Sequence, residues 1–116
     1  MCIRDRDEAI ALTQTATQRA PEVALGWYNL GLMQRRRGDI AAALEAYSRA
    51  MELDPDNAAC HQNRAVALLL GGDIEGARAA FRTAITLLQT QGRPAEAQAL
   101  RSKAQGIVKL DLEPIA

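Results

Sequence analysis

Residues 34–40 read QRRRGDI, and the last three letters come back: Gly38-Asp39-Ile40 returns as Gly72-Asp73-Ile74, an offset of 34. The same offset carries Asn29 onto Asn63, Ala43 onto Ala77, Tyr47 onto Phe81, Ala50 onto Ala84 and Leu53 onto Leu87. This many coincidences in one register mark a duplicated unit, and a period of about 20 to 50 residues is the signature of stacked repeats.

Each unit reads as helix, turn, helix. Trp27, Leu30 and Gln34 fall on one helical face before Gly38-Asp39 interrupts, and Ala43, Tyr47, Ala50 and Leu53 then continue at intervals of 4, 3 and 3. Gly38 suits the left-handed position that ends a helix, and Asp39 suits the acceptor that caps the start of the next. Asp54-Pro55-Asp56-Asn57 closes the unit, because proline cannot continue a helix and Asn57 is a good cap for the following one. Gly31 and Ala65 on the first helices, with Ala43, Ala50, Ala77 and Ala84 on the second, allow close approach of helix backbones, while Trp27, Tyr47 and Phe81 fill the remaining volume. Neither unit covers its apolar face alone, so neighbours must stack.

Composition agrees with an all-helical chain. Its 116 residues fit one small domain, and 48% apolar content with only 3% aromatics means a core built largely of alanine and leucine, which helices use best. Fourteen basic against fourteen acidic side chains leave no net charge, which weighs against a nucleic-acid binder that relies on phosphate neutralisation. QRRRGDI therefore loses its first reading as a basic patch. Its second, the Arg-Gly-Asp of integrin ligands, weakens too, since the turn recurs as Gly72-Asp73 without an arginine before it. Arg35, Arg36 and Arg37 are better placed as the last turn of a helix, where the dipole favours cations.

Cys2, Cys60 and His61 supply neither a disulfide framework nor metal-ligand spacing, so no metal or cofactor is expected. Cys60 and His61 are sequence neighbours and point in different directions on a helix; they read as a small buried thiol beside a packing imidazole. The longest apolar run, 65–70, is too short to cross a bilayer, so no membrane partner is expected.

These residues resemble the tetratricopeptide repeat, a helix pair of 34 residues with a large residue, Leu-Gly, a Tyr, a turn Gly, then Ala, an aromatic, Ala and Pro at fixed intervals. The first unit, 24–57, supplies Trp27, Leu30-Gly31, Gly38, Ala43, Tyr47, Ala50 and Pro55, and departs at Gln34, where an aromatic is usual. The second, 58–91, keeps Gly72, Ala77, Phe81 and Ala84 but has His61 for Trp, Arg64-Ala65 for Leu-Gly, Leu68 for Tyr and Gln89 for Pro. Those departures predict a looser core around Arg64 and a second helix that runs on through Thr90. The resemblance implies an all-α fold, a right-handed α–α superhelix built as a solenoid of antiparallel helix pairs.

The register reaches backwards as well. Ala9, Ala16 and Pro21 stand 34 residues before Ala43, Ala50 and Pro55, so 7–23 resembles the second helix of a repeat whose first helix is missing. After Gly92, Pro94 opens a capping helix within 92–109, with Ala97, Leu100, Ala104 and Ile107 on its apolar stripe and Arg93, Glu96, Arg101 and Lys103 off it; 110–116 is a tail. Residues 1–6, MCIRDR, resemble a translated adaptor used in preparing sequencing libraries, which implies that they are not native and that the natural chain continues upstream. An authentic start remains the alternative, since RDRDEA is acceptable at a helix edge, but the adaptor also explains the half repeat.

In arrays of this kind the first helix of each pair lines a concave face that receives a protein or peptide. The resemblance places Leu25, Tyr28, Asn29, Leu32 and Arg36 there in the first unit, and Ala59, Gln62, Asn63, Val66 and Leu70 in the second. Asn29 and Asn63 resemble the asparagine ladder with which some members hold an extended peptide, each amide offering a donor and an acceptor; the other reading is that they bond locally or to solvent. A clamp for a C-terminal carboxylate is not expected, because the companion basic positions hold Tyr28, Ala59 or Ala97. The expected protein is thus a non-catalytic, cytoplasmic interaction module. The alternatives are a substrate-selecting repeat region of a larger enzyme, such as a transferase, and a piece that self-associates through its exposed N-terminal helix.

Overall fold

The computed structural model describes residues 3–108, with side chains from position 7 onward. The start of the adaptor-like segment and the tail lie outside the described residues. Six α-helices follow one another: α1 (Ile3–Arg19), α2 (Ala24–Arg37), α3 (Ile40–Leu53), α4 (Ala58–Leu70), α5 (Ile74–Thr90) and α6 (Pro94–Ile107). Among the described residues there is no strand, and no helix is long and apolar enough to cross a membrane. Between Pro55 and Asp56 the chain divides into two compact units, α1–α3 and α4–α6.

The repeated turn is built as its residues require. Gly38 has φ +95°; its N–H donates to the Arg35 carbonyl, and the next N–H, of Asp39, reaches back to Gln34. This pair of bonds satisfies carbonyls that the end of α2 leaves open, and it needs a left-handed residue that only glycine adopts without strain. The Asp39 carboxylate then accepts from the Ala42 amide at 3.2 Å and caps α3. Thirty-four residues on, Gly72 has φ +87°, Asp73 donates its N–H to the Leu68 carbonyl, and the Asp73 carboxylate caps α5 through the Gly76 amide. Asn57 caps α4 by accepting from Cys60, as its place after Pro55 predicts.

In the first unit, Ala43, Ala46, Tyr47 and Ala50 of α3 are buried against α2, where Tyr47 lies on Gly31 and its ring sits 6.2 Å from that of Tyr28. Ile10, Leu30 and Ala46, one from each helix, form a core cluster with Trp27 and Met33 packed on it. Trp27 donates its indole N–H to the Pro21 carbonyl, which fixes the entry to α2, and the Arg49 guanidinium stands over its ring.

Ala16 is exposed and Ala9 half-buried, whereas α1 buries Ile10 and Thr17. The alanine stripe of α3 faces the helix that precedes it in its own pair; α1 packs on α2 instead, and so turns a neighbouring stripe inward.

In the second unit Ala77, Ala80, Phe81, Ala84, Ile85 and Leu88 of α5 are buried, with Cys60, His61, Ala65 and Leu68 of α4 and Ala97, Leu100 and Ala104 of α6. The thiol and imidazole are both core residues, as read from the sequence. Arg64 is half-buried, and its Nε is shielded without a hydrogen-bond partner among the described residues. Helix α5 runs to Thr90, because Leu88-Gln89 stands where Asp54-Pro55 ends α3. At the far end Ile107 is 49% exposed and Val108 is buried in its place: α6 stops at Ile107, and the extended backbone of Val108 swings that side chain in.

Candidate functional site

The positions assigned by resemblance fall on two helices, one in each unit. On α2, Asn29 and Arg36 are exposed, Tyr28 and Leu32 are half-buried, and Leu25 is 61% exposed. Their backs are held by the packing already described: Tyr28 leans on Tyr47, and Leu30 and Gly31 between them are buried. On α4, Ala59 is exposed, Gln62, Asn63 and Val66 are half-buried, and Leu70 is 61% exposed. Each helix therefore turns one stripe into the core and leaves the assigned stripe accessible.

The two asparagines differ. Asn63 donates from its side-chain amide to the Ala59 carbonyl, 2.8 Å away on the preceding turn. That local bond ties the amide to its own helix. Asn29, which is exposed, shows no such side-chain bond among the described residues.

Beside Gln62 the second unit opens a groove of about 370 Å³. Its walls are the first turns of α4, with Asn57, Ala58, Ala59 and Gln62, and one face of α6, with Glu96, Ala99, Leu100 and Lys103; Leu88 of α5 forms the floor. A polar chain runs along one rim. Gln91 donates from its side-chain amide to the Asp56 carbonyl at 2.6 Å, Arg93 donates to the Gln91 side-chain oxygen at 3.4 Å, and Arg93 pairs with Glu96. Leu88 and Leu100 thus give the groove an apolar interior under a polar rim.

Of the groove residues only Ala59 and Gln62 were assigned from the sequence. The others were missed because α6 was read as a cap alone. A signal existed: Gln91 occupies the register of Asn57, and without a following helix start at 92 it is free to reach back to Asp56.

Two sequence models described as "Tetratricopeptide repeat" match the chain, one over residues 24–57 and one over 46–99. Human "Tetratricopeptide repeat protein 36" is 34% identical over 92 residues, which is 79% of this chain and 46% of that protein. The chain thus spans less than half the length of that relative. Among solved structures, MamA superposes with a TM-score of 0.74 at 24% identity, covering 78% of this chain and 53% of MamA. PcrH, solved in complex with the chaperone binding region of PopD, superposes with a TM-score of 0.73 at 22% identity, over 86% of this chain and 81% of PcrH. At such identities the likeness shows the fold, an all-α array of helix pairs. Period, turn geometry and sequence models agree: the chain belongs to the tetratricopeptide repeat family.

Proposed function

We propose that this chain is a protein-interaction module without catalysis of its own, which receives a peptide or a segment of a partner protein along the accessible stripes of α2 and α4. The observation that carries this reading is the α4 stripe itself, where Gln62 and Asn63 offer side-chain amides beside a groove with an apolar floor. The complex of PcrH with a region of PopD gives a precedent for a partner segment on this fold. In this reading the α4 stripe meets the ligand backbone with Gln62 and Asn63 and its apolar surface with Val66, a small apolar side chain sits over Leu88 and Leu100, and the α2 stripe offers Asn29 and Leu32 in the same way within its own unit. Arg36 at the end of α2 favours an acidic group on the ligand.

The test uses the full chain as bait for partners, followed by calorimetry of each purified partner with wild type and with Asn29→Ala, Gln62→Ala and Asn63→Ala. The reading expects a loss on the order of 1 kcal/mol per ligand hydrogen bond removed, with folding intact. Affinity that is unchanged in all three variants, for a partner whose binding is saturable, refutes it.

A further inference from the structure

The first unit holds a second groove, on a side of α2 that the proposed function does not use. It measures about 340 Å³ and lies between α1 and α3, over α2. Gln14, Thr17 and Gln18 of α1 form one wall, Ala42, Glu45 and Ala46 of α3 the other, and Trp27, Leu30 and Gln34 of α2 the floor. The spacing along each helix explains the convergence: 27, 30 and 34 share one stripe of α2, and 42, 45 and 46 share one of α3.

Gln34 is the unusual member. It stands where the repeat pattern carries an aromatic and where the second unit has Leu68, buried and apolar. Being smaller than an aromatic ring, it leaves open space above it. It is also only 8% exposed, and its side-chain oxygen is shielded from solvent with no hydrogen-bond partner among the described residues. A buried acceptor without a donor is costly, and a leucine at this place would avoid the cost. Thr17 does not relieve it, since its hydroxyl donates to the Gln14 carbonyl at 2.8 Å.

What would satisfy Gln34 follows from the lining. Its oxygen needs a donor, and because that oxygen is shielded where it stands, it meets a ligand only when the amide turns over about its last bond. Glu45 sets the charge of the donor: it is exposed and is the one charged residue among those that line the groove, so the complement is a donor that carries positive charge. Trp27, Leu30, Ala42 and Ala46 ask for an apolar stem behind that charge. Guanidinium fits better than ammonium, because its planar fork serves a carbonyl and a carboxylate with separate N–H groups and it is more weakly hydrated. We propose that this groove holds an arginine side chain of a protein partner, with its stem along Trp27 and Leu30, one N–H donated to the Gln34 side-chain oxygen and the charge facing Glu45.

Trp27 is the only tryptophan of the chain, so its fluorescence reports the groove directly. The probe is an acetylated, amidated alanine–arginine–alanine peptide titrated into the full chain. Parallel titrations use the same peptide with the neutral isostere citrulline or with lysine, and nuclear magnetic resonance follows the side-chain amide of Gln34. The arginine peptide is expected to give a saturable response that moves the Gln34 amide, with weaker binding by lysine and by citrulline. Glu45→Gln, at an exposed position, is expected to weaken binding about two- to fivefold. Gln34→Leu is expected to weaken it about tenfold or more, through loss of a bond to a charged donor. The melting temperature of Gln34→Leu should hold or rise, since Leu68 shows that the register accepts leucine, and this separates lost binding from lost folding. Absence of a saturable response overturns the proposal. So does equal binding of the citrulline peptide, or binding unchanged in both Glu45→Gln and Gln34→Leu. Asn29→Ala and Asn63→Ala leave this titration unchanged, which separates it from the reading of the α2 and α4 stripes given above.

Discussion

Tyr47 presses on Gly31 so closely that a Cβ built on that glycine would lie 2.6 Å from the tyrosine Cε1 and 2.7 Å from its Cδ1. Tyr47 is fully buried and has nowhere to retreat. Gly31→Ala is therefore expected to destabilise the chain by about 1–3 kcal/mol, despite the better helix propensity of alanine. The second unit carries Ala65 in the same register, fully buried, and the reverse exchange Ala65→Gly is expected to cost about 1 kcal/mol. Urea denaturation of the two variants checks the pair; a stabilised Gly31→Ala would contradict the packing.

Gly38 and Gly72 both hold positive φ, and a Cβ at either would meet no atom within 4 Å. The cost of Gly38→Ala or Gly72→Ala is then conformational alone, about 1–2 kcal/mol, and should be similar at the two turns. Asparagine, which tolerates this backbone region, should recover part of it. Thermal unfolding of the four variants reads the difference.

Asp39 and Asp73 cap α3 and α5 by the same bond, to Ala42 and to Gly76. Replacing either with alanine is expected to cost about 1 kcal/mol, and replacing either with asparagine much less, since the acceptor remains. Equal losses for alanine and asparagine would show that the cap bond is not what these residues contribute.

Asn63 spends one N–H on the Ala59 carbonyl, while Asn29 shows no local side-chain bond among the described residues. Asn63→Ala should thus lose a few tenths of a kcal/mol of stability, less than the net worth of a typical buried hydrogen bond of about 1 kcal/mol, and Asn29→Ala should lose none. Their effects on partner binding, measured by calorimetry, should be comparable.

Much of the fold was readable from the chain because its signals are local. The turn residues Gly38-Asp39 and Gly72-Asp73, the cap Asn57 and the stop at Pro55 act within a few residues of themselves, and the structure uses each as read. The run of α5 through Thr90 was legible for the same reason, as the loss of a stop. What escaped depends on where separate helices come to rest. Which stripe α1 buries is decided by α2; whether Ile107 or Val108 turns inward is decided by where α6 ends. The bond from Gln91 to Asp56 spans 35 positions and has no signature in either neighbourhood. Both grooves are of this second kind: Gln34 and Gln91 are visible in the sequence as departures from a pattern, but the space beside each belongs to three helices at once.

The extra length of α5 has a consequence for how such a chain can change. Helix α3 has 14 residues and α5 has 17, although their apolar stripes begin alike. Three added residues advance the end of a helix by about 4.5 Å and turn its exit by about 300°. Gln89 thus acts as a steering point: the turn it allows sets where α6 sets out, and it carries Leu88, the last buried side chain of α5, into the core with it.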